Sequence, residues 1–308
     1  MNNETSKHRK SGHLFSTAAE DLQNARQEVE QGSASAQVNS SAYRLAFDDQ
    51  DFLLREEMRP VRLLLELTKP ELVLQENKIL NTVVIFGSAR TPSPEMVDAE
   101  EAKLKLQMQI APRNPALLRQ QKNLHFQRIQ SRYYSEARRL GEIITQRSTS
   151  EEGVKALVIT GGGPGVMEAA NRGAMDAGGE SIGLNIMLPH EQYPNTYITP
   201  KFCFRFHYFA IRKMHFLLRA RALVVFPGGF GTLDEFFETL TLVQTRKIEA
   251  MPILVFGREY WEKVINWNFM IEQGVISAED LNLFHYVENA EEAWELMKDN
   301  LHIDSGTS

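Results

Sequence analysis

The stretch Pro227-Gly228-Gly229-Phe230-Gly231-Thr232-Leu233-Asp234-Glu235 puts a glycine-rich turn, a hydroxyl and a carboxylate close together in the chain. Gly228, Gly229 and Gly231 let backbone N–H groups approach an anion closely, and Thr232 adds a hydroxyl donor. Glu235 follows Thr232 by about one helical turn. A phosphate gripped by this turn would therefore carry its sugar toward the Glu235 carboxylate. A carboxylate beside a ribose can stabilise an oxocarbenium-like centre or activate water, the chemistry of glycoside hydrolysis. Asp234 and Glu238 need no such role, because carboxylates favour a first helical turn through the helix dipole.

Two further glycine turns belong to the same argument: Gly87-Ser88-Ala89-Arg90 and Gly161-Gly162-Gly163-Pro164-Gly165. Gly87, Ser88, Gly162 and Gly163 are assigned to the same ligand, for which phosphate is the natural guest. Neither of the two longer runs fits the G-x-G-x-x-G/A dinucleotide fingerprint: the third glycine position falls on Val166, Glu168 or Asp234. No Gly-Lys-Ser/Thr P-loop occurs. Nicotinamide oxidoreductase and P-loop nucleotidase readings lose most of their weight. Between Thr199 and Arg221 stand Lys201, Arg205, Arg212, Lys213, Arg219 and Arg221 without an acidic residue. Arg212 and Lys213 lie on the helix leading into the strand before Pro227, so they can reach an anion held by the second run. Arginine supplies a planar fork suited to phosphate.

The elements that position these residues are read from periodicity. Residues 82–86, 156–160, 222–226 and 252–256 are short apolar runs rich in β-branched side chains, and residues 181–187 add another. Helical pattern separates them, over 117–144, 166–177, 209–219 and 232–247. Strands buried on both faces and alternating with helices call for a parallel sheet with helices on each side. The expected fold is α/β, a Rossmann-like three-layer arrangement preceded by an amino-terminal helical arm. Residues 1–40 are expected to be a largely disordered tail. The capping-box spacing of Thr17 and Glu20 ahead of Leu22, Ala25 and Val29 predicts one short helix inside it. Residues 41–80 form the arm, with apolar positions from Phe52 to Leu67, a kink or restart at Pro60, and Pro70 opening another short helix. Residues 81–308 form the nucleotide-binding domain.

Composition narrows the partners. The 308 residues carry 34 Lys+Arg against 40 Asp+Glu, a net charge of −6, and 43% are hydrophobic. That balance argues against a general nucleic-acid binder, which needs a broad electropositive face. No apolar run approaches the roughly 20 residues that cross a bilayer as a helix, so no membrane role is expected. The single Cys203 cannot form an intramolecular disulfide, and MNNETSKHRK lacks the apolar stretch of a secretory signal. A cytoplasmic location is expected. His190, His207 and His215 show no zinc spacing, and neither a metal nor a cofactor is implied. Cys203 reads as a packed residue. Of the aromatics Phe202, Phe204, Phe206, Tyr208 and Phe209, most read as core, although one or more can stack on a base.

Gly161 through Ala174 together with Pro227 through Glu235 resemble the LOG (Lonely Guy) family, with Gly87-Ser88-Ala89-Arg90 and Arg212-Lys213 also matching. The resemblance spans about residues 61–267. It implies a phosphoribohydrolase that cleaves the N-glycosidic bond of nucleoside 5′-monophosphates, AMP or cytokinin nucleotides, to free base and ribose 5-phosphate. By motif position it implies Glu235 as the essential glutamate, Arg212 as the arginine of the R-K pair, and Gly228, Gly229, Gly231 and Thr232 as the phosphate loop. It also implies a homodimer or higher homo-oligomer. The amino-terminal arm and a helical insertion around residues 103–132 resemble the longer members. Family members have often been labelled lysine decarboxylases, but no pyridoxal-phosphate lysine signature is found. The rival reading is a non-catalytic nucleotide-binding regulatory protein of the same fold, since fold alone does not fix activity. An interaction protein working through the amino-terminal arm is a third.

Overall fold

The computed structural model describes residues 16–30, 35–148, 156–189 and 193–301. They divide between Leu65 and Glu66 into two compact units. The first begins with α1 (Ala18–Glu30), where the Thr17 N–H donates to the Glu20 carboxylate at 2.9 Å and the Glu20 N–H to the Thr17 hydroxyl at 3.3 Å. This is the capping box anticipated from the spacing, so part of the tail expected to lack structure is helical. Residues 1–15 and 31–34 lie outside the described residues. A short helix, α2 (Gln50–Leu53), is capped by Asp49. Pro60 then stands in the first turn of α3 (Arg59–Glu76), where its missing N–H removes no helical bond, so it restarts the helix rather than kinking it.

The expectation for Pro70 is corrected. It opens no new helix but sits buried in the interior of α3. Its ring leaves the Glu66 carbonyl without the N–H that would come from position 70, and His215 Nε2 lies 3.2 Å from that oxygen.

In the second unit the chain order is β1 (Asn81–Phe86), α4 (Pro94–Ile110), α5 (Pro115–Arg147), β2 (Ala156–Thr160), α6 (Val166–Asp176), β3 (Ser181–Ile186), β4 (Cys203–Phe206), α7 (Phe209–Leu217), β5 (Ala220–Val225), α8 (Phe230–Gln244), β6 (Ile253–Phe256), α9 (Arg258–Val264), α10 (Trp267–Glu272), β7 (His285–Val287) and α11 (Ala290–Leu301). Among the described residues the strands form one parallel sheet in the order β4-β3-β2-β1-β5-β6-β7. Successive side chains of a strand point to opposite faces. Val83 and Ile85 of β1 accordingly join a core with α5, α6 and α11, while Val84 and Phe86 join one with α7, α8 and α9. This is the α/β three-layer arrangement the periodicity predicts.

Two strands escape that prediction. β4 alternates buried Phe204 and Phe206 with exposed Arg205, and β7 has three residues, so neither edge strand offers a continuous apolar run. The insertion read around residues 103–132 is two helices: Asn114 ends the break after α4 and caps α5, its side chain accepting the Ala116 N–H at 2.9 Å. None of the helices of the described residues is long and apolar enough to cross a membrane.

The chain steps from β1 outward to β4, then returns to place β5 on the other side of β1. In open parallel sheets this reversal leaves a crevice at the carboxyl ends of the strands. The loops there are tied together: Ser88 N donates to Pro227 O at 3.2 Å, Val166 N to Ser88 O at 3.1 Å and Phe226 N to Phe86 O at 2.8 Å. Gly165, which precedes α6, has φ of 72°, and a methyl group there would strike Ser88 O and Ala89. Gly165→Ala is expected to cost about 2 to 4 kcal/mol in urea unfolding, combining left-handed strain with that collision. Gly178→Ala, at φ of 74° with open space around it, should lose about 1 kcal/mol. Equal losses would remove the role assigned to the Ser88 contact.

Candidate functional site

A cleft of about 700 Å³ opens at the reversal point, lined by the turns after β1, β2 and β5 together with Met167, Phe209 and Tyr260. Gly87, Ser88, Gly161, Arg212, Gly228, Gly229, Gly231, Thr232 and Glu235 all line it. Residues far apart in sequence thus meet because β1, β2 and β5 are neighbours in the sheet. Helix α8 points its amino terminus into the cleft, where the dipole and the free N–H groups of a first turn favour an anion. Added methyl groups at Gly229 and Gly231 would meet only open space, so this backbone is open to a ligand. At Gly228 an added methyl would collide with the Thr232 side chain, so glycine there lets the turn fold back on its own helix. The glycines of this second run owe their role to close approach; the positive φ values fall in the first run, at Gly162 and Gly165.

Arg212 enters from α7. Its Nε donates to Leu184 O at 2.8 Å, its guanidinium lies 5.0 Å from the Phe216 ring centroid, and its Nη2 packs against Gly161. Burial pushes its pKa down, and the Glu235 carboxylate opposes that shift. An arginine keeps its charge nonetheless. One edge of the guanidinium is held by the sheet and the other borders the cleft.

Glu235 lies in the first turns of α8 with 8% of its surface exposed. Burial pushes its pKa from 4.5 up to about 7, although Lys213 and Arg212 both pull it down. Lys213 Nζ stands 2.7 Å from Glu238, 2.9 Å from Asp234 and 4.0 Å from Glu235. Expected beside the ligand, Lys213 does not line the cleft; it binds together the carboxylates of α8 behind it. Burial lowers the Lys213 pKa, but the carboxylates outweigh this and raise it.

Gly162 and Gly163 also sit outside the cleft lining. Their carbonyls accept from Asn195 Nδ2 at 3.2 and 3.0 Å, and Asn195 Nδ2 lies 3.0 Å from Asn171 Oδ1. The Thr160 hydroxyl donates to the same Asn171 oxygen at 2.8 Å and accepts the Gly162 N–H at 3.0 Å. This polar network fixes the first turn from below. Asn171 and Asn195 carry no signal in the sequence, and neither does Tyr260, whose hydroxyl donates to Gly228 O at 2.7 Å.

The remaining candidates disperse. Phe202, Phe204 and Phe206 are core, and of the aromatic group only Phe209 lines the cleft. Lys201 pairs with Glu180, Arg219 with Glu71, and Arg221 Nε donates to Asn81. Burial raises the Cys203 thiol pKa and Asn185 Nδ2 lies 3.5 Å from its sulfur. His215 is buried against Phe206, and His190 lies outside the described residues. Among the described residues no group of three or more His, Cys, Asp or Glu side chains is placed to hold a metal.

Residues 167–297 match the family described as "Possible lysine decarboxylase". Two proteins of Oryza sativa subsp. japonica are similar in sequence, both named as probable cytokinin riboside 5′-monophosphate phosphoribohydrolases. LOG4 is 28% identical over 44% of this chain and 59% of its own length; LOGL5 is 30% identical over 39% of this chain and 46% of its own. The chain thus matches about half the length of these relatives. Among solved structures, the molybdenum cofactor carrier protein of Chlamydomonas reinhardtii aligns with a TM-score of 0.40 at 18% identity, over 72% of this chain and 99% of that one. The sequence matches support the resemblance to the LOG family. The decarboxylase label finds no fit in the cleft: pyridoxal phosphate is bonded through a lysine amine, and no lysine is among the described residues that line it.

The Glu235 environment sets a stability test. The folded state holds the Glu235 proton more tightly than the unfolded chain, so the stability gained is full below the unfolded value of 4.5 and lost as pH rises through about 7. Glu235→Gln keeps the neutral shape. It is expected to match the parent at about pH 3.5 and to exceed it by on the order of 3 kcal/mol at about pH 8.5, measured by urea unfolding. A difference that does not change with pH would contradict the buried, proton-holding environment.

Proposed function

We propose that the cleft binds a nucleoside 5′-monophosphate and hydrolyses its N-glycosidic bond, releasing the free base and ribose 5-phosphate. The observation that carries this reading is a buried carboxyl, Glu235, set one helical turn along α8 from a glycine amino terminus and facing the same cleft as Arg212. The 5′-phosphate docks on Gly228, Gly229, Gly231 and Thr232, where backbone N–H groups and the helix dipole meet its charge. Arg212 supplies a charge-assisted contact to phosphate or ribose, and Gly87 and Ser88 close the cleft from the β1 side. Glu235, ionised above about pH 7, stabilises positive charge at C1′ and takes a proton from the attacking water. The C1′–N bond breaks as C1′–O forms, and the departing base takes up a proton. As the resemblance implies, the enzyme acts as a homodimer or higher homo-oligomer.

One observation favours a second reading, a non-catalytic nucleotide-binding regulatory protein. Among the described residues no second free acid faces Glu235: the Asp234 carboxylate is paired with Lys213, and the Tyr260 hydroxyl donates to Gly228 O. The loops and Arg212 meet every need of a binder without it. The sequence matches reach only part of each relative, so they support a shared fold and superfamily, and hence binding, more directly than the reaction.

Incubation with AMP, GMP, CMP and isopentenyl-adenosine monophosphate, followed by chromatography for free base, separates the two. Release of base by the parent protein is expected, with Glu235→Gln lowering kcat at least about a thousandfold while AMP binding stays within about threefold. Binding without base release would establish the regulatory reading. In the same assay Arg212→Ala should weaken AMP binding about tenfold to a hundredfold, the loss of one sheltered charged contact.

A further inference from the structure

Helix α7 carries Arg212 into the cleft, yet its N-cap residue, Tyr208, gives no side-chain hydrogen bond to the helix. Glu66 of α3 instead holds the two backbone N–H groups that lead into the helix. One carboxylate oxygen accepts the His207 N–H at 2.8 Å and the other the Tyr208 N–H at 3.1 Å. A carboxylate at this end of a helix is favoured by both hydrogen bonding and the dipole.

The same residue grips α7 a second time. The Glu66 carbonyl released by Pro70 faces His215 Nε2 on the far side of α7's second turn. Burial holds the His215 pKa below its usual value against the pull of the Glu71 carboxylate, which lies 3.4 Å from Nδ1, and a proton on Nε2 suits the contact with the Glu66 carbonyl. Arg212 lies between the two grips, and its own N–H donates to Tyr208 O at 3.2 Å. A single residue, Tyr208, thus links the Glu66 carboxylate to the backbone of the cleft arginine.

We infer that Glu66 is a positioning residue for the cleft: through Tyr208 it fixes the first turn of α7 and so sets the reach of Arg212. Its consequence for binding rests on the nucleotide reading above; its geometry does not. The far end of α7 has separate anchors, since Phe216 is fully buried and Arg219 pairs with Glu71. Loss of the Glu66 carboxylate therefore loosens the first turn while the helix stays packed.

Two measurements on the full chain test this. The first follows the Arg212 Nε–H by ¹⁵N NMR, assigned with Arg212→Lys, in the parent, Glu66→Ala, Glu66→Asp and Glu71→Ala. The parent signal should be protected from exchange by Leu184 O. Glu66→Ala should lose about tenfold or more of that protection, and Glu66→Asp, which keeps the charge but withdraws it by one methylene, should lose part. Glu71→Ala should retain it. If Glu66→Ala fails to fold, Glu66→Asp carries the test.

The second is AMP affinity by calorimetry in Glu66→Ala, Arg212→Ala and the double variant. Glu66→Ala should weaken AMP about tenfold and add little once Arg212 is gone. An unchanged Arg212 signal in folded Glu66 variants, or fully additive affinity losses, would overturn the positioning role. A parent that binds no AMP, with the Arg212 signal still dependent on Glu66, would instead defeat the nucleotide reading and leave the positioning role standing.

Discussion

The site depends on keeping one carboxyl, Glu235, out of water beside two cations without letting either neutralise it outright. Burying an ionised carboxylate is costly unless it is paired. Here Lys213 is pulled toward Asp234 and Glu238, and the Arg212 guanidinium is docked on Leu184 O. Both cations are thus occupied elsewhere, and the Glu235 proton is held up to about pH 7. The site stores a poised group where a closer ion pair would have given a permanently charged one.

The surrounding polar groups follow the same logic of satisfaction. Thr160, Asn171 and Asn195 are buried or half-buried, and together they bind the Gly162 N–H at one end and the Gly162 and Gly163 carbonyls at the other. Such a network is stiff when complete, because the low local dielectric penalises any member left unpaired. It gives the first glycine turn a fixed floor, against which the Arg212 guanidinium packs at Gly161. The cleft is a rigid junction of three turns, each braced by the next.

Much of this was legible in the sequence because it rests on local rules. The central strands are continuous β-branched runs, and the turns after β1, β2 and β5 announce themselves by glycine. Glu235 falls in the cleft because its offset from the turn after β5 is helical, and Arg212 because its helix leads into β5. What stayed hidden is tertiary. Edge strands β4 and β7 lack a buried run, Pro70 looks like a helix start until its ring is seen packed inside α3, and Asn195 and Tyr260 matter only through carbonyls brought near by folding. Lys213 neighbours Arg212 in sequence, but successive helical residues face different ways, and its side chain turns to the carboxylates of α8 instead of the cleft.

The order of strands also governs when the cleft can exist during synthesis. Its walls come from the segment after Phe86, from Gly161, from the stretch 228–235 and from Tyr260, with β1 wedged between strands made much later. A ribosome that has released only β1 to β4 has made most of one half of the sheet and no anion cradle at all. Ligand therefore cannot guide the early stages of assembly, and a chain truncated before Ala220 would expose the β5-facing edge of its central strand to the cell.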